Sequence, residues 1–91
     1  MTTRYRAHPE LRLTALEGEG VVLHLGSRRY FTVNETGLAI LEALKPSATL
    51  AEIGTALVKR FEVTPEKAEQ SARHFLDRCL GAKLVIEDRG E

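Results

Sequence analysis

The sequence predicts an α+β domain in which a three-stranded antiparallel β-meander is followed by three α-helices. Three observations carry that prediction. Between residues 11 and 33 apolar side chains recur at every second position, interrupted by glycine-containing breaks at 17–20 and 26–27. From Asn34 the apolar spacing lengthens to that of a helix. Three helix-start signatures then follow, at Asn34, Thr49 and Thr64.

Residues 1–10 are polar, contain Pro9 and show no period, the pattern of a flexible N-terminal arm. Leu11, Leu13 and Ala15 alternate with polar neighbours and form the first strand. Glu17-Gly18-Glu19-Gly20 turns the chain, and Val21, Leu23 and Leu25 alternate with Val22 and His24 in the second strand. Gly26-Ser27 is a second turn, with Gly26 free to take positive φ, and residues 29 to 33 form a third strand, Arg-Tyr-Phe-Thr-Val. Short connections between consecutive strands give the order 1-2-3.

Asn34 is a good N-cap, Glu35 sits where the helix dipole favours an anion, and Gly37, Ile40, Leu41 and Leu44 fall on one helical face before Pro46 closes the first helix. Gly37 is costly there, because glycine inside a helix loses about 1 kcal/mol relative to alanine; a close backbone approach would account for it, as would nothing more than a tight strand-to-helix corner. Thr49-Leu50-Ala51-Glu52 fits a capping box, and Leu50, Ile53, Leu57, Val58 and Phe61 form the apolar stripe of a second helix ending near Phe61. Thr64-Pro65-Glu66 opens the third helix with an N-cap, a proline where its missing N–H does no harm, and an acid in the first turn. Its apolar face is Ala68, Ala72, Phe75, Leu76, Cys79 and Leu80, and Gly81 is placed to be the left-handed residue after its end. Leu84-Val85-Ile86 is a short apolar tail. The single domain therefore spans 11–86, with a charged tail at 87–91.

A chain of 91 residues is one domain able to bury a modest core without disulfides or a structural metal. Its 13 Lys and Arg balance 13 Asp and Glu, where proteins that live on nucleic acid or anionic membrane carry a basic excess. A single cysteine, Cys79, permits no intramolecular disulfide, and no apolar run reaches signal-peptide or bilayer-spanning length, which points to a cytoplasmic protein that does not enter a membrane.

No catalytic constellation stands out. His8, His24 and His74 are scattered over arm, strand and helix, with no metal-ligand spacing and no phosphate-binding glycine loop, so neither a metal nor another cofactor is expected. Cys79 lies on an apolar stripe, where a thiol is normally an inert core residue. The third strand is more informative. In a 1-2-3 meander it is an edge with unpaired backbone groups, and it lacks the proline, inward charge or bulge that usually blunts an edge. Its Tyr30, Phe31 and Val33 suit a surface that accepts another strand, although an ordinary edge covered by the third helix would look the same. Three helices with a β-hairpin also describe a winged helix, which makes a DNA-binding regulator the alternative from another class. Against it, Glu66, Glu69 and Asp77 cancel Lys67, Arg73 and Arg78 on the exposed face of the third helix.

With its elements in this order the chain resembles the PqqD-like family, the leader-peptide recognition domains of ribosomally made, post-translationally modified peptide pathways. The resemblance runs from about residue 17 to 85 and rests on "VVLHLGSRRYFTVNETGLAILEAL", continued by "TLAEIGTALVKRFEV" and "FLDRCLGAKLV". It implies a winged-helix-like fold that catalyses nothing, binds the leader of a precursor peptide and presents it to a separate modifying enzyme or leader protease; apart from the resemblance, the chain is expected to be a monomer or weak dimer. In that family the leader adds as a strand to the third strand and lies beside the third helix.

Carried over, the resemblance assigns the strand to residues 29 to 33 and the helix to 64 to 80. The candidate peptide-binding residues are then Arg28, Arg29, Tyr30, Phe31, Thr32 and Val33 on the strand side and Ala72, Arg73, Phe75, Leu76 and Leu80 on the helix side. The apolar arc of the third helix is about 140° wide at about 100° per residue, with Phe75 on one flank and Leu76 and Leu80 on the other. Where the PqqD proteins of quinone-cofactor synthesis tend to have a Pro-Glu-Gly turn before the third strand, this chain has Gly26-Ser27-Arg28. Its Gly-x-Arg-Arg-Tyr-aromatic-x-Val-Asn-x-Thr-Gly version, residues 26–37, is more similar to the free-standing leader-binding proteins of lasso-peptide clusters.

Overall fold

A computed structural model describes residues 3–89 of the chain. In chain order its elements are β1 (Thr3–Ala7), β2 (Leu11–Leu16), β3 (Glu19–His24), β4 (Arg29–Asn34), α1 (Glu35–Ala43), β5 (Ala48–Thr49), α2 (Leu50–Arg60), α3 (Pro65–Gly81) and β6 (Val85–Arg89). The expected meander is the antiparallel sheet β2-β3-β4, so the third expected strand is β4 and lies at an edge. Val22 pairs with Leu13 on one side and Phe31 on the other, which puts the three on one face of the sheet.

That face covers the helices. Val22 of β3, Ile40 of α1 and its C-cap Leu44, Ile53 and Leu57 of α2, and Ala72 and Leu76 of α3 are shut off from solvent and, with Leu84 and Val85, form one core. Full burial of each large aliphatic side chain contributes about 1.5–3 kcal/mol. In β3 the buried face is Gly20, Val22 and His24, while Val21 and Leu23 lie on the outer face and are only half-buried. Alternation alone suggests the reverse, because Val21 and Leu23 make the outer set the more apolar. Gly20 faces inward because Leu38 of α1 presses on it: a Cβ there would stand 2.9 Å from Leu38 Cδ1.

All three helix starts are built as the sequence indicates. Asn34 Oδ1 accepts the Gly37 N–H at 2.8 Å. Thr49 Oγ1 accepts the Glu52 N–H, and Glu52 Oε1 accepts the Thr49 N–H in return. That backbone hydrogen bond, helped by the Arg4 guanidinium, holds the Glu52 carboxyl below its usual pKa. Thr64 Oγ1 accepts the Lys67 N–H ahead of a helix that begins with Pro65.

Five expectations are corrected. Residues 3–7, read as part of an arm, form β1, and residues 87–89, read as tail, belong to β6; β1 lies between β5 and β6 in a second antiparallel sheet, with Thr3 opposite Arg89 and Ala7 opposite Val85. Arg4 donates to Ser47 and Glu52, and Arg6 to Asp88 at 2.7 Å. A strand made by partners some eighty residues away leaves no local period. Residues 1, 2, 90 and 91 of the expected arm and tail lie outside the described residues. The left-handed residue after α3 is Lys83 (φ 63°) rather than Gly81, which is still helical. In the β3–β4 turn it is Arg28 (φ 58°) rather than Gly26. Val58, assigned to the stripe of α2, is exposed. Gly18 does take positive φ (76°) in the β2–β3 turn.

Candidate functional site

The two aromatic residues of β4 point to opposite sides, as alternation requires. Phe31 is half-buried against the core, together with Val33. Tyr30 stands outside, 74% exposed, opposite Leu23 of β3. The outer edge of β4 has no strand beside it among the described residues.

Alongside that edge runs a groove of about 340 Å³. One wall is Phe31, Thr32, Val33 and Asn34 of β4; the other is Phe75, Arg78, Cys79 and Ala82, closed by Leu84. On α3 and its cap, positions 75, 78, 79 and 82 share one helical face. Gly37 lets the walls approach, because Phe75 occupies the space a side chain at 37 would fill. The Arg29 guanidinium lies 5.9 Å from the centre of the Phe31 ring. The groove is apolar, open along a strand edge and only large enough for a few side chains.

Its titratable side chains are Cys79 and Arg78. Burial pushes the Cys79 thiol from 9.0 up to about 11, against a smaller downward pull from Arg78. A thiol that keeps its proton at neutral pH is a poor nucleophile, and a guanidinium cannot serve as a base. Neither side chain is set to act as nucleophile or base there.

Of the candidate residues, the structure brings Phe31, Thr32, Val33 and Phe75 together in the groove. Arg28, Arg29 and Tyr30 are exposed beside it, on the turn and the outer strand. Ala72 and Leu76 are core residues with no surface to offer, which removes them as groove-lining side chains. Leu80 packs on the core from the other flank. Arg73 belongs to a separate polar depression with Thr3, Tyr5, Asp77 and Glu87. The groove therefore lies on the Phe75 flank of α3. Asn34, Arg78, Cys79, Ala82 and Leu84 were not singled out for it, although helical spacing from Phe75 reaches 78, 79 and 82.

His8 and His24, distant in sequence, meet with ring centres 4.6 Å apart, and with Glu10 they place three possible metal-ligand atoms within 4.8 Å of one another. The Nδ1 of each ring accepts a backbone N–H, from Glu10 at 3.0 Å and from Ser27 at 3.2 Å. A neutral ring so engaged carries its proton on Nε2, leaving neither nitrogen a lone pair for an ion. The cluster reads as a clasp between the β1–β2 and β3–β4 turns.

A family model described as coenzyme PQQ synthesis protein D (PqqD) matches residues 19–85. Two solved structures share the fold. One is TbiB1 in complex with the TbiA(beta) leader peptide, 24% identical, with a TM-score of 0.76 over 94% of this chain and 99% of that one. The other is lasso peptide synthetase B1 complexed with the leader peptide, 20% identical, with a TM-score of 0.71 over 90% and 96% of the two chains. No curated protein matches the sequence.

Proposed function

The chain belongs to the PqqD family, and from that premise we propose that it is a non-catalytic adaptor for the leader segment of a ribosomally made precursor peptide. The leader adds as a strand to the open edge of β4, lays alternate side chains into the groove against α3, and is handed to a separate modifying enzyme or leader protease in the cytoplasm. The observation that carries this reading is the position of the apolar groove. It lies directly beside an unpaired strand edge, so one extended segment can satisfy backbone groups and bury side chains at once. Both solved relatives hold a leader peptide, which supports the same occupant here. The Gly26-Ser27-Arg28 turn and the likeness to a lasso peptide synthetase subunit favour a free-standing protein of lasso-peptide type.

A DNA-binding role gains no support from this geometry. The exposed face of α3 mixes acids with bases, and formal charge over the chain is zero.

The test is an amide-shift titration of the chain with synthetic peptides covering the N-terminal halves of short open reading frames encoded beside its gene. One of them is expected to shift residues 29–34 together with 75, 78 and 79. Shifts confined to α2, or none with any such peptide, would overturn the proposal.

A further inference from the structure

Arg4, Arg6 and Arg60 are each paired with an acid, to Glu52, Asp88 and Glu42. Arg78 is different. It is exposed on the wall of the β4–α3 groove and makes no side-chain hydrogen bond or ion pair among the described residues. One helical turn away on its own face stand His74, Phe75, Gly81 and Ala82, none of them an acid. Asp77, its neighbour in sequence, lies in the separate depression with Arg73. The other side chains lining the groove carry no charge at neutral pH: Thr32 is a hydroxyl, and Asn34 is engaged by its cap to Gly37. On the helix wall the groove thus presents the unpaired Arg78 guanidinium, while Arg29 lies over the Phe31 ring on the strand side.

We infer that this groove selects a leader segment carrying aspartate or glutamate two residues from an apolar anchor, with Arg78 as the residue that determines that preference. The inference rests on strand addition to β4 and adds a side-chain rule to it. In an added strand, every second side chain faces α3, and successive ones are about 6.6–6.8 Å apart along the strand. Phe31 and Val33 mark two such levels of the groove. An apolar side chain packed on Phe75 and Phe31 leaves its same-face neighbour, two residues along, within reach of the long Arg78 side chain, which lies about 4.5 Å along the helix axis from Phe75. A carboxylate there meets a charge-assisted donor fork. A lysine or arginine meets repulsion, so the same residue also rejects basic segments.

A phage-displayed library of random dodecapeptides, panned separately on the intact chain and on Arg78→Glu, tests this. Because Arg78 is exposed, the variant should keep its circular dichroism spectrum. The wild type is expected to enrich peptides with Asp or Glu two residues from an aromatic or aliphatic residue, and the variant to enrich Lys or Arg at that position. For the best acidic peptide, changing the acid to its amide should weaken binding about fivefold to the wild type and leave binding to Arg78→Gln unchanged. A consensus that ignores charge at this position, or stays the same in Arg78→Glu, overturns the inference while peptides that shift residues 29–34 still support strand addition. Selected peptides that leave residues 29–34 untouched overturn both.

Discussion

Phe75 fills the space that a side chain at Gly37 would need: a Cβ at 37 would stand 2.8 Å from the ring's Cε1 and 3.2 Å from Val33 Cβ. The glycine that helix propensity disfavours is therefore the condition for β4, α1 and α3 to meet at the end of the groove.

Gly37→Ala should accordingly destabilise the domain. Propensity alone offers a gain of about 1 kcal/mol, but the Phe75 ring and the Val33 side chain must both give way, and overpacking of this kind costs about 1–3 kcal/mol. A net loss of about 1 kcal/mol is expected, read as a lower urea midpoint at unchanged slope. Gly37→Ala combined with Phe75→Leu should recover part of it. A stabilised Gly37→Ala protein would mean that the contact does not constrain the helix.

Tyr30 and Phe31 should respond differently to the same change. Tyr30→Asp places a charge in water and should leave a folded protein, whereas Phe31→Asp puts a carboxylate against the core and should cost about 2 kcal/mol or more. Thermal melts separate the two. Peptide binding by the folded Tyr30 variant then reports whether the outward ring takes part in recognition.

Strand addition has a signature in hydrogen exchange. In the free protein, alternate amides of residues 29–34 bond to β3 and the others face the open edge. The outward set should exchange fast and slow on peptide binding, while the inward set changes little. Uniform slowing of all six amides would indicate general stabilisation instead.

The buried thiol gives a pH dependence. Its pKa is about 11 in the fold against 9.0 in an ordinary setting, so between these values the unfolded chain has lost a proton that the folded chain keeps. Stability from this group is therefore fully present below pH 9 and declines as pH rises toward 11. Denaturation curves at pH 7, 9 and 10.5 should show a fall that is absent in Cys79→Ala.

Elements governed by neighbouring residues were legible in the sequence. The meander follows from period-two spacing, and the three caps at Asn34, Thr49 and Thr64 follow from side chains that reach only three residues ahead. What could not be read locally was the second sheet, because β1 and β6 owe their existence to each other across nearly the whole chain. The candidate site was half legible. An unpaired β4 carrying aromatic residues was visible, but the flank of α3 that faces it depends on how the helix is rotated in the core. Burial of Ala72 and Leu76 sets that rotation and turns Phe75, Arg78 and Cys79 toward the strand.

Because Thr3 is paired with Arg89, at the far end of the ladder from Ala7 and Val85, a force applied to those two residues would load the β1–β6 hydrogen bonds one after another, as a zipper is opened, instead of all at once in shear. Tethered there in an optical trap, the domain should yield first in this sheet, at low force, while the β2-β3-β4 sheet remains folded. A peptide held on β4 would feel that first yielding only as slack in the tether.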